Sequence, residues 1–196
     1  MKKKQEQKVE SVFIKPVVKV FVGYSWDNDA HCKKDEGWTK IRDYFKPTKE
    51  SLEKKYGITI DFRRLRASHG CFVWDSILSK IKAADILIFD VADKKEPKRF
   101  NQNVLLELGA AMALGDKKVL VMCPDGLLKK FPSDLSGLCL SLYAGEDKKP
   151  TDKWGLLPQF SGMVRDIVAT KEIGDLARAV EGGEDDGEWF CTAQSE

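Results

Sequence analysis

Ile86-Leu87-Ile88-Phe89-Asp90-Val91 is apolar at every position but one, with no alternation of apolar and polar side chains. A strand with one wet face alternates, whereas a strand covered on both faces does not. This segment therefore reads as a central strand with helices packed above and below it. Four further runs share its character: Val17–Ser25, Ile58–Leu65, Lys118–Cys123 and Leu138–Tyr143, each bounded by charge, Gly or Pro. The segments between them read as helices. In Trp74–Ala84 the apolar residues Trp74, Ile77, Leu78 and Ile81 recur at i, i+3, i+4 and i+7, one helical face turned to a core. Val104–Leu114 is almost wholly apolar and stops at Gly115, a natural residue for the position just past a helix. Gly37–Lys54 is a long mixed helix, and Pro158–Val180 is a last one, with an interruption near Gly174. Strands alternating with helices predict an α/β fold, a flavodoxin-like doubly wound five-stranded parallel sheet with helices on both faces.

The chain has 196 residues, the size of one domain with tails. Residues 1–15 form a polar lead-in, 16–180 the domain, and 181–196 an acidic, glycine-rich tail that reads as flexible. With 33 basic and 31 acidic residues the net charge is +2, which argues against a protein that tracks nucleic-acid phosphates. The five cysteines form no CxxC pair, and His31 and His69 lie far apart, so no metal site is expected. The odd cysteine count and the lack of a secretory leader point to a reducing cytoplasm. No apolar run is long enough to span a membrane.

Doubly wound sheets bind ligands beyond the carboxyl ends of their strands. Four segments should meet there. Gly23-Tyr24-Ser25-Trp26-Asp27 follows the first strand and Arg63-Arg64-Leu65-Arg66 ends the second, with His69 soon after. Asp90 ends the third, and Cys123-Pro124-Asp125 ends the fourth. Glu107 carries the most weight, as the only charge between Asn103 and Leu114. With Asn103 as the N-cap, Glu107 lies about one turn into a helix whose dipole favours a carboxylate. It is then either a rim residue that stabilises a helix start or a carboxylate held ionised in a dry cleft. Asp90 is a ligand contact or a cap for the turn that follows. One arginine near Arg63 can hold a phosphate, or the group is solvated surface. Tyr24 and Trp26 stack on a base or belong to the core. His69 has no acid partner nearby in sequence, and buried packing is the default for Cys123.

Ile81-Lys82-Ala83-Ala84-Asp85-Ile86-Leu87-Ile88-Phe89-Asp90, followed after a loop by Asn103-Val104-Leu105-Leu106-Glu107-Leu108-Gly109-Ala110-Ala111-Met112-Ala113-Leu114-Gly115, resembles the nucleoside 2-deoxyribosyltransferase-like and TIR-like superfamily. Val20-Phe21-Val22-Gly23-Tyr24-Ser25 is similar to the first strand of TIR-like domains. Phe131-Pro132-Ser133-Asp134-Leu135-Ser136-Gly137 with Tyr143 resembles a segment of bacterial TIR-like nucleotide-binding proteins. The likeness runs over about residues 17–143. Two departures stand out. Asn103 is followed by Val-Leu-Leu, closer to the TIR-like than to the transferase form, and the charged loop at Asp93–Arg99 is longer than in compact transferases.

The resemblance implies a catalytic glutamate at Glu107, an active-site aspartate at Asp90, and attack on the N-glycosidic bond of a nucleoside or nucleotide. Around these two, the candidate substrate contacts are Tyr24, Ser25, Trp26 and Arg63 at the strand ends and Asn103 and Gly109 on the helix. Nicotinamide leaves NAD from a cationic ring with little need of a proton, whereas a neutral base needs a general acid. NAD is accordingly the expected substrate, with no cofactor and no metal. Expected partners are a nucleotide or nucleoside and a further copy of the chain, without membrane or nucleic acid. The resemblance also carries a setting, bacterial defence against phage. Alternatives are a non-catalytic nucleotide-binding or assembly module and a nucleoside 2-deoxyribosyltransferase. A phosphoacceptor receiver domain fits worse, because Val20–Ser25 carries no acidic residue and the first is Asp27.

Overall fold

A computed structural model describes residues 15–25, 36–64, 72–93, 96, 99–124, 127, 130, 140–144, 149–150 and 155–181. Its elements are β1 (Val17–Tyr24), α1 (Glu36–Tyr56), β2 (Thr59–Arg64), α2 (Val73–Ala83), β3 (Ile86–Asp90), α3 (Gln102–Ala113), β4 (Lys118–Pro124), β5 (Leu140–Ala144), β6 (Lys149–Pro150) and α4 (Leu156–Glu181). The sheet order is β2-β1-β3-β4-β5-β6. β2, β1, β3 and β4 pair in parallel, β5 joins β4 in parallel, and β6 is antiparallel.

The lack of alternation in β3 has the structural meaning assigned to it. All five residues are buried. Ile86 and Ile88 belong to one core cluster, with Val18, Val20, Val22, Leu120 and Met122 and with side chains of α1 and α4. Leu87 and Phe89 belong to the other, with Phe21, Val121 and residues of α2 and α3. The result is an α/β fold with a helical layer on each face of the sheet. Phe45 of α1 meets Phe160 of α4 edge to face, with ring centroids 5.0 Å apart. Fully burying a side chain of this size stabilises by about 1.5–3 kcal/mol, so this pair ties α1 and α4 into one layer.

The N-terminal end of the sheet is tied by charge. Asp85 accepts from the Lys19 amide at 2.8 Å and from Lys171 Nζ at 3.1 Å, while Lys171 Nζ also donates to the Val17 carbonyl at 2.7 Å. Lys117 Nζ donates to the carbonyls of Lys82 and Ala84 at the end of α2. Gly115 ends α3 as expected, with φ +72° and its amide bonded to the Met112 carbonyl.

The last helix is not interrupted. α4 runs through Gly174 to Glu181, and one glycine inside a helix costs only about 1 kcal/mol. The opposite, C-terminal edge is where the candidate ligand contacts gather. There Gly23 and Tyr24 of β1 lie beside Phe89 and Asp90 of β3. The chain leaves β1 toward β2 on one side of the sheet and returns on the other in β3, so ligands are expected at this crossing.

Candidate active site

A cavity of about 320 Å³ opens at this edge, lined from three directions. Tyr24 and Ser25 come from the end of β1, and Val73, Trp74 and Ile77 from the start of α2. Asn101, Asn103, Val104 and Glu107 come from α3 and the residue before it.

The start of α3 is set by Asn101, not by Asn103. Asn101 has extended backbone, and its side-chain oxygen accepts from the Val104 amide at 3.1 Å. An N-cap bonds the amide three residues on. The apolar run begins at Val104, so the capping residue lies three positions before it. Asn103 instead sits in the exposed first turn at the cavity wall. The Asn101 side-chain amide donates to Ser25 Oγ at 3.0 Å and to Asp93 Oδ2 at 3.2 Å. Its backbone amide donates to the Val91 carbonyl at 2.9 Å. One residue, through its side chain and its backbone amide, thus fastens the segments after β1 and β3 to the helix that carries Glu107.

Glu107 is 7% exposed. Gly23 lies directly against it: a Cβ built there would stand 2.8 Å from Glu107 Oε2 and 2.6 Å from Phe89 Cδ1. Only glycine leaves room for both. Burial pushes the Glu107 carboxyl up from its ordinary 4.5 to about 7. Burial in a dry cleft, the second of the two readings of Glu107, therefore brings a raised rather than an ordinary pKa. With α3 beginning at Gln102, Glu107 lies past the first turn, where the helix dipole has fallen away. No cation among the described residues lines the cavity to offset the loss of water. The group is poised between its two protonation states at neutral pH.

The other candidates separate. Tyr24 is buried, stacked on Trp38 with centroids 6.4 Å apart, and also reaches the cavity. The Arg64 guanidinium lies 5.2 Å from the Trp38 ring. Arg63 is exposed and paired with Asp61, away from the cavity lining. Asp90 is 1% exposed and accepts from the Ala92 amide at 3.3 Å, closing the turn after β3 without lining the cavity. Gly109 is exposed and also outside the lining. Cys123 is fully buried in the core. Trp26, Arg66, His69 and the segment Phe131–Gly137 lie outside the described residues.

Sequence reasoning passed over Asn101 and Trp74. Trp74 continues the periodic face of α2, but Ile77 and Ile81 are buried while Trp74 is 44% exposed. The face outlasts its core partners and ends at the cavity. Among the described residues no three His, Cys, Asp or Glu side chains gather as a metal site. No described helix is long and apolar enough to cross a membrane.

No curated protein matches the chain. Among solved structures it is similar to a 2-desoxiribosyltransferase from Leishmania mexicana, at 19% identity and a TM-score of 0.38. That match covers 55% of this chain and 65% of the transferase, just under two thirds of its length. The stronger finding is a family model. Residues 19–145, which run from β1 through the cavity to β5, match the TIR domain of CAP12/Pycsar effector proteins, and the chain belongs to that family.

Proposed function

We propose that the chain is an N-glycosidase that cleaves the ribosyl–base bond of NAD or a related nucleotide, as an effector in defence against phage. The observation that carries this reading is the buried Glu107 carboxyl, which lines the cavity and lies against the bare backbone of Gly23. The parallel order β2-β1-β3-β4 supports a ligand site at the β1/β3 crossing, where doubly wound sheets bind theirs. Membership of an effector family supports the defence setting.

In the reaction, the bond from C1′ to the ring nitrogen breaks and its electron pair neutralises the pyridinium. The oxygen of water becomes the new substituent at C1′, and its spare proton passes to solvent. Glu107 stabilises the positive charge that develops on the sugar, or attacks C1′ and is then released by water. Ser25, fixed by Asn101, and Asn103 at the wall orient the ribose, and Tyr24 closes the cavity on the β1 side. A neutral purine would need a second acid to leave. Asp90, its carboxyl engaged at the Ala92 amide and outside the cavity, is poorly placed to supply one. This favours a substrate whose base is already cationic.

The test is incubation of the full chain with NAD, NADP and a set of nucleosides, with released base followed by chromatography. Nicotinamide release that is lost in Glu107→Gln supports the reading. Tight binding without release converts it to a nucleotide-binding module. A new nucleoside that forms only when free base is added converts it to base exchange.

A further inference from the structure

We infer that the indole of Trp74 is the platform on which the substrate's heterocycle lies, and that it selects a cationic ring over a neutral one. The inference rests on the glycosidase reading only in taking that ring to be the leaving group. Three observations carry it. First, Trp74 stands apart from both described cores although it shares a helical face with core residues. On the same helical face Ile77 is 7% exposed and Ile81 is fully buried, while Trp74 is 44% exposed and belongs to neither core cluster. Second, it lines the same cavity as Glu107, from a different element, so a flat ligand can meet both. Third, the described lining carries one carboxyl and no Lys, Arg or His.

Among these residues a cation finds two attractions. An indole face draws a cation through the negative face of its π-system. A carboxylate draws it by direct charge. A pyridinium glycoside satisfies both at once, with its ring over Trp74 and its C1′ toward Glu107. A reduced, neutral dihydropyridine ring keeps only the stacking. The volume of about 320 Å³ lies at the small end of ligand sites, enough for the nucleoside end of a dinucleotide rather than the whole.

The experiment uses the full chain as wild type, Trp74→Leu and Trp74→Phe. Ligand-observed NMR titrations compare 1-methylnicotinamide, which is cationic, with nicotinamide, which is neutral. NAD kinetics are measured in parallel. The wild type should prefer the cation by about tenfold, within the range of a partly desolvated cation–π contact. Trp74→Leu should erase the preference and raise KM for NAD by a similar factor with kcat little changed, and Trp74→Phe should keep most of both. Unfolding midpoints near the wild-type value show that each variant folds. Loss of the preference in Trp74→Leu without NAD turnover in any protein supports the Trp74 assignment and removes the glycosidase. Turnover with unchanged KM and unchanged preference in Trp74→Leu overturns the Trp74 assignment and leaves the glycosidase standing. A wild type with no preference for the cation overturns it as well.

Discussion

Replacing Glu107 by Gln should change how stability depends on pH, whatever the protein turns over. The Glu107 carboxyl has its ordinary value of 4.5 when unfolded and about 7 when folded, because burial disfavours its charged form. Below pH 4.5 both states bind the proton, and Glu107 contributes no pH dependence. Between 4.5 and 7 the folded protein holds a proton that the unfolded chain has released, so stability falls as pH rises. Above 7 the full cost of ionising a buried group is present, about 3 kcal/mol at about 1.4 kcal/mol per unit. Gln has no such titration. The stability gap between Glu107→Gln and wild type should therefore open from a small constant at pH 4.5 to about 3 kcal/mol more at pH 8. For a chain of this size that is roughly 6–12 °C in Tm. Urea unfolding followed by circular dichroism from pH 4.5 to 8.5 measures it. Two curves that stay parallel over this range would refute the claim that burial raises the Glu107 carboxyl.

Further outcomes follow from the same geometry. Gly23→Ala puts a methyl 2.6 Å from Phe89 Cδ1 and 2.8 Å from Glu107 Oε2. It should cost about 1–3 kcal/mol by overpacking and abolish NAD cleavage, and an unchanged urea midpoint would contradict the close approach. Asn101→Ala should lose about 1 kcal/mol of capping energy as well as the hold on Ser25. Asn101→Ser should recover most of that stability while activity stays low, since serine caps but does not reach Ser25. The pH profile of NAD cleavage should show kcat/KM rising through half its maximum near pH 7 toward a plateau at higher pH, as Glu107 ionises in the free enzyme. The corresponding limb in kcat should lie at lower pH, because a bound pyridinium cation lowers the carboxyl's pKa. Coincident limbs would show that substrate charge does not reach Glu107.

The sandwich of helices around a parallel sheet was legible because burial on both faces leaves a direct mark on composition. Ile86, Leu87, Ile88 and Phe89 point alternately into two separate cores, so neither parity tolerates a polar residue. The interest of Glu107 was legible for the same reason, as one charge among apolar neighbours on α3. Its protonation was not, because the degree of burial depends on Gly23 and Phe89, which arrive from other strands. The cap was misplaced at Asn103 by reading the onset of the apolar run as the onset of the helix. The first turn, Gln102–Val104, is mostly solvent-facing and leaves little hydrophobic trace. Trp74 was taken for core because periodicity defines the direction of a face and not where its partners end. Arg63 illustrates the opposite limit. Strand-end position alone put it among the ligand contacts, and its pairing with Asp61 two residues away takes it elsewhere.

The placement of Glu107 has a chemical consequence that links the fold to the proposed substrate. An acid kept ionised by a resident arginine would be ready for any nucleoside, but its charge would be partly spent on that partner. Here the cavity supplies burial and no cation among its described lining residues, so the carboxyl waits near half protonation at neutral pH. An opposite charge within about 4–6 Å lowers a carboxyl by roughly 1–3 units. A pyridinium ring that enters over Trp74 would therefore complete the ionisation that C1′ chemistry requires. A neutral base leaves Glu107 half protonated and brings no charge for the carboxylate to oppose. Selectivity for a cationic base thus arises twice from the same arrangement, once in binding against the indole and once in readying the carboxylate. The second depends on the burial of Glu107 against the bare backbone of Gly23.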